Sequence, residues 1–396
     1  MEKNLDFDTI VDRRNTLSLK YDFAEKRGMP ADVLPLWVAD MDFKTSSYVQ
    51  DALIEQAKHG IFGYSGTLTP YYEVVREYFV KKYNYDFAEE DLLKTRGVVF
   101  AIAVAVRALT NEGDAVMIQQ PVYYPFASTI IGNHRQLSGN TLVYNEDEHR
   151  YYIDFEDFEN KLVTQNVKVF LLCNPHNPVA RAWNKDELLR IGDICLKHNV
   201  LVISDEIHQD FTFVGKHYVF AGLKPEFEQI TVTCTSPSKS FNLAGLQLAN
   251  IIIKNTQLRR KFIKEYYVSG YSDLNIMGIV STMAAYKHGG EWFNGVFNYI
   301  KSNIEYVRNY VETNLPKVKM ITHEATYLVW LDFRGLGLTA DEVDDIIINK
   351  SKLWLDSGRI FGETGKGFQR VNVACPRATL EEALERLKRD FQKYNI

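Results

Sequence analysis

Short, mostly apolar runs alternate with helix-like stretches through the middle of this chain, and few folds accept that alternation. Val98 to Leu109 is apolar nearly all round and rich in alanine, which predicts a buried helix. Ala115 to Ile118, Val167 to Cys173, Val200 to Ile203 and Ile230 to Cys234 each read as a buried strand. Between the second and third of these strands, Asn184-Lys185-Asp186-Glu187 reads as a capping box opening an amphipathic helix to about His198. Apolar strands separated by helices predict an α/β fold built on a mostly parallel sheet with helices on both faces.

The last third changes character. Tyr327 to Phe333 reads as a strand, and Thr339 and Thr379 each open a T-x-x-E string completed by Glu342 and Glu382. Leu380, Ala383, Leu387 and Phe391 fall on one face of a terminal helix. We therefore expect a large domain over 45–287 and a smaller α+β domain formed by 1–44 together with 288–396. A chain of 396 residues, 46% hydrophobic, is long enough for both.

Several classes of function are set aside at this stage. The net charge of -5 comes without a long run of one sign, which gives no footing for nucleic acid or an anionic membrane. The N-terminal stretch from Met1 is polar, and no run reaches the roughly 18–20 apolar residues of a membrane span. Cys173, Cys195, Cys234 and Cys375 are far apart, and the nine histidines form no ligand-spaced cluster, so neither a disulfide framework nor a metal site is expected. A cytoplasmic location follows as the default.

In open parallel sheets, ligands bind beyond the carboxyl ends of the strands. Those ends here carry Thr95-Arg96-Gly97, Gln120-Pro121-Val122-Tyr123, Asn174-Pro175-His176-Asn177-Pro178, Asp205-Glu206-Ile207-His208 and Ser236-Pro237-Ser238-Lys239. Together they offer a ring, an amide, a carboxylate, hydroxyls and an amine, the set needed to hold a phosphorylated pyridine aldehyde. Lys239, hemmed by Ser236, Pro237, Ser238 and Ser240, is the candidate to form a Schiff base, which requires an amine freed of its proton. Asp205 suits a protonated ring nitrogen, although a lone strand-end aspartate is more often a helix cap. Asn177 could meet a ring oxygen and Tyr123 could stack on the ring, although Asn-Pro is ordinarily a turn and a tyrosine ordinarily core. The backbone N–H groups of Val98 and Val99 open a helix and could take a phosphate, with Ser236 and Ser238 adding hydroxyls. Ser236 to Lys239 also matches the S-x-x-K of serine β-lactamases, but the S-D-N and K-T-G elements of that chemistry are absent from the sequence.

These strings, with Trp37 to Phe43, Gly63-Tyr64, Ser238 to Gln247 and Arg370 to Arg377, resemble the fold-type I pyridoxal 5′-phosphate (PLP) enzymes of the aspartate aminotransferase superfamily. More narrowly they resemble the MalY/PatB-type cystathionine β-lyases, or cysteine-S-conjugate C–S lyases, almost end to end. The resemblance implies PLP on Lys239, with Lys239 as proton shuttle and Asp205 on the ring nitrogen. It implies Asn177 on the ring oxygen, Tyr123 on the ring face and Arg370 on the substrate α-carboxylate. Trp37 and Ala39 fall on the substrate side, and His208 stands beside the cofactor in place of the tyrosine of aspartate aminotransferases. Tyr64 is expected to reach the phosphate in the neighbouring subunit of a homodimer. His208 is one of three departures from the family pattern, and its role stays open. Ala180 replaces the glycine of N-P-H-N-P-x-G-R, and Phe100 replaces the proline of G-V-V-P. The expected reaction is β-elimination from cystathionine or another cysteine S-conjugate to a thiol, pyruvate and ammonia. An aminotransferase on the same fold, or a PLP-fold protein serving as a regulator or binding partner, are the alternatives.

Overall fold

The computed structural model describes residues 5–270 and 273–394. Seven strands form the central sheet: β1 (Leu92–Thr95), β2 (Ala115–Gln120), β3 (Gln136–Thr141), β4 (Val167–Cys173), β5 (Leu201–Asp205), β6 (Thr231–Thr235) and β7 (Ala249–Ile252). Their spatial order is β1-β7-β6-β5-β4-β2-β3. Only β7 runs against its neighbours. The expected mostly parallel α/β sheet is present, and β4 has the bounds read from the sequence.

The apolar runs are buried on both faces because helices cover both. Val98–Leu109 packs with Thr256–Val268 on one side, where Ile102, Ile203 and Phe262 share a core. On the other, Leu188 and Ile191 of Lys185–Lys197 meet Phe170 and Val202. That second helix starts where the sequence places it: Asn184 accepts from the Glu187 N–H while the Glu187 carboxylate accepts from the Asn184 N–H.

A second, antiparallel sheet comprises Lys319–Met320, Leu328–Asp332, Phe368–Asn372 and Asp356–Ser357, in that spatial order. Leu34–Pro35 runs parallel to Leu353–Trp354, tying an N-terminal segment to this part of the chain. Thr339 and Glu342 close the capping box read from the sequence. Thr379 does not. The terminal helix spans Arg377–Phe391 with Pro376 at its cap, so Thr379 lies inside the first turn and is buried. Proline fixes φ near the value that the entry to a helix needs, which starts the helix two residues before the T-x-x-E string.

Candidate active site

Five strand-end segments converge. Val98, Val99, Tyr123, Asn177, Asp205, His208, Ser236, Ser238, Lys239 and Ala39 line one cavity, so ten sequence-predicted positions come together. Lys239 sits in Pro237–Ser240, a single helical turn after β6, and its Nζ donates to the Ala39 carbonyl at 2.6 Å. Burial lowers the Lys239 amine to about 8, and the charge of Arg370 adds to the fall while Asp40 and Asp205 oppose it.

Asp205 ends β5, and its Oδ1 accepts from the Ile207 N–H at 3.1 Å. Burial raises its carboxyl to about 7, Glu206 pushes the same way and Lys239 partly offsets both. His208 follows in the same turn. Burial and the nearby Lys239 and Arg370 charges hold it neutral, well below its ordinary value.

Arg370, on a central strand of the second sheet, donates to Asn177 Oδ1 at 3.0 Å and to the Trp37 carbonyl at 2.9 Å, and pairs with Asp356. This fixes which way Asn177 faces. Its oxygen meets the guanidinium, so its Nδ2 donor is left for another acceptor. Burial holds the Asp356 carboxyl above its ordinary value, and Arg370 limits that rise. Asp356 was missed from sequence, although an aspartate closing the apolar run Leu353-Trp354-Leu355 signals a buried carboxylate in need of a partner.

Trp37 and Tyr64 lie outside that cavity, and Ser236 lines it with its hydroxyl already spent on backbone groups. The Trp37 indole stacks on Trp354 at 4.4 Å under the Arg27 guanidinium, so only its carbonyl touches the Arg370 cluster. The Ser236 hydroxyl caps the Lys239 turn by accepting from the Ser238 N–H and donates to the Leu248 carbonyl. Tyr64 is 98% exposed, in a segment with exposed Ile61, Phe62 and Leu68.

The other two departures are accommodated differently. Ala180 takes a φ of 55°, the left-handed conformation that glycine prefers, and its carbonyl accepts from the Glu324 and Ala325 N–H groups. Phe100 lies under the Arg96 guanidinium and edge-on to Tyr266, within an unbroken helix.

The polar groups left over fit PLP. No side chain caps the start of Val98–Leu109, which begins at Gly97 with a φ of 153°, so its first N–H groups remain to meet a phosphate. His208 Nδ1 and Arg370 Nε are buried without a partner among the described residues. Buried polar atoms in folded proteins are ordinarily paired; His208 lines a cavity that already holds an amine, a carboxylate and an amide, and Arg370 is bonded to Asn177 at its wall. Among the described residues, no cluster of three metal ligands occurs and no helix is long and apolar enough to cross a membrane.

A sheet of this order, with an amine and a carboxylate at adjacent strand ends, defines a fold-type I PLP enzyme. The chain belongs to the aminotransferase class I and II family, whose profile it matches over residues 31–387, in the branch that contains PatB and MalY. It is 40% identical to cystathionine beta-lyase PatB of Bacillus subtilis, over 97% of this chain and 99% of that protein. It is 30% identical to protein MalY of Escherichia coli, over 96% and 97%. The crystal structure of cystalysin from Treponema denticola, which contains PLP, superposes with a TM-score of 0.94 at 36% identity, covering 98% of this chain and 99% of that one.

Proposed function

We propose that the protein is a PLP-dependent carbon–sulfur β-lyase that cleaves cystathionine or a related cysteine S-conjugate to a thiol, pyruvate and ammonia. The observation that carries this is the meeting of Lys239, Asp205 and Asn177 around one cavity, with Arg370 bonded to Asn177 behind it, in a chain so similar to a cystathionine beta-lyase. Bound at Lys239, PLP would supply a protonated ring that draws electrons from the substrate Cα.

The chain's own groups divide the remaining work. Arg370 holds the α-carboxylate, its position set by Asp356 and the Trp37 carbonyl. Lys239, with its amine near 8, is within reach of the neutral form at working pH and takes the Cα proton. Asp205 would keep the proton on the ring nitrogen, and Asn177 Nδ2 would donate to the ring oxygen. The N–H groups of Val98 and Val99, with Ser238, would hold the phosphate, and Tyr123 would lie against the ring. The thiolate leaves from Cβ and is released as the thiol on taking up a proton, and water then hydrolyses the remaining aminoacrylate to pyruvate and ammonia, so no keto acid is needed. Tyr64 completes the phosphate site of a neighbouring subunit, which makes the working unit a homodimer of two-domain protomers.

The test is cystathionine with enzyme and no added keto acid. Stoichiometric pyruvate, ammonia and homocysteine are expected. Transfer of the amino group to 2-oxoglutarate, with no pyruvate, would overturn the proposal in favour of an aminotransferase. Borohydride reduction of the loaded protein is expected to fix PLP on the peptide containing Lys239.

A further inference from the structure

The turn that carries Lys239 is too short to hold itself. A helix of one turn fixes several dihedrals for a single hydrogen bond, so its direction depends on anchors outside it. Its first anchor is the Ser236 hydroxyl, bonded to the Leu248 carbonyl. The second is at the other end: the Ser240 hydroxyl donates to Asp210. Lys239 lies between them.

Asp210 is a costly anchor. It is 5% exposed and takes four donors, the hydroxyls of Tyr78, Tyr83 and Ser240 and the Lys82 ammonium. Burial alone would push its carboxyl up, yet Lys82 and the hydroxyls hold it below its ordinary value. Well-packed apolar residues commonly stabilise a fold as well as or better than a buried ion pair, so packing alone gives no reason for this group. Its place in the chain gives one. Asp210 closes the turn that begins after Asp205, and the turn is held by Gln209 N–H to Glu206 and Phe211 N–H to His208. One short segment therefore ends in two carboxylates: Asp205 lines the cavity and Asp210 grips the turn bearing Lys239.

We infer that Asp210 is a positioning residue which, through Ser240, sets Lys239 in register with Asp205, so that the attaching amine and the ring-nitrogen partner are held by one rigid segment. This rests on the reading of Lys239 as the PLP attachment point. The charges acting on Lys239 are Asp40, Arg370 and Asp205, all unchanged when Ser240 is altered, so any effect on Lys239 travels through geometry.

The test compares Ser240→Ala, which removes one oxygen, with wild type. The double variant Asp210→Asn/Lys82→Met, which removes the buried pair together, serves as a second probe. Ser240→Ala is expected to keep the melting temperature of the cofactor-free protein within a few degrees. It is expected to weaken PLP binding, measured by absorbance titration, by about tenfold and to move the pH midpoint of the visible band by half a unit or more. Turnover should fall by about tenfold while KM changes less than twofold, since Arg370 is untouched. Unchanged PLP affinity and pH midpoint in Ser240→Ala would overturn the inference, whatever the double variant does. A double variant that folds and binds PLP with the wild-type pH midpoint would overturn it as well. Absence of PLP on the wild-type Lys239 peptide after borohydride would sink the attachment reading instead, and so separates the two failures.

Discussion

Asp205 holds its place against its own solvation. Its carboxyl sits near 7 in the folded chain against 3.8 for the free group, so above pH 7 the cofactor-free fold carries a buried charge that the unfolded chain hydrates freely. The sign follows from proton counts. Between 3.8 and 7 the folded state binds more protons, so stability contributed by this group falls as pH rises through that window and stays low above it. Asp205→Asn should therefore raise the melting temperature of the cofactor-free protein, by more at pH 8 than at pH 5, while abolishing lyase turnover. Equal gains at both pH values would refute the account. Ala180 shows strain of a different kind. An alanine at a φ of 55° costs of order 1–2 kcal/mol relative to a residue without Cβ, partly offset by the unfolded-state freedom of glycine. Ala180→Gly should stabilise the protein by about 1 kcal/mol, read from urea midpoints at constant slope.

At the scale of elements, the sequence was readable where one face or one run decided the outcome. Val98–Leu109 and Val167–Cys173 have the bounds expected of them because each is apolar but for one residue, Arg107 or Lys168, and is bounded by a strong signal, Gly97 before the helix or Asn174-Pro175 after the strand. The reciprocal cap at Asn184 was equally plain, and Asn184→Ala should cost about 1 kcal/mol of stability in a denaturant titration. Thr379 misled because the motif is local and the competing helix start at Pro376 is local too. Lys239, Asp205 and Asn177 were legible since each ends an apolar strand and the parallel fold brings such ends together. Asp356 and the Ala39 carbonyl were hidden. One is marked only by its need for Arg370, and the other is backbone, which side-chain chemistry in a sequence cannot flag. Trp37 was placed in the right neighbourhood, but its ring is taken by Trp354, a contact of long sequence separation.

At the scale of the whole molecule, Tyr64 is the residue that one protomer leaves unexplained. Tyr64 is 98% exposed, and the same short stretch also exposes Ile61, Phe62 and Leu68. If Tyr64 serves a neighbouring subunit's phosphate, mixing Tyr64→Phe protomers with Lys239→Ala protomers should restore activity in the hybrids. Each hybrid would contain one site with both native groups. No recovery after verified subunit exchange, or a stable active monomer, would rule this out.

Arg370 joins parts of the chain that are remote in sequence: the carbonyl of Trp37, the amide of Asn177 and the carboxylate of Asp356. A small acid docking on that guanidinium would fasten a clasp already made of protein, and its binding energy would become resistance to unfolding. At a hundredfold excess over Kd the gain is about 2.7 kcal/mol. Heat then becomes a chemical detector. Amino acids with a free α-carboxylate should delay melting whether or not they carry a leaving group, while their methyl esters should leave the curve where it was. Substrates and inert mimics could thus be sorted by a thermometer before any product is measured.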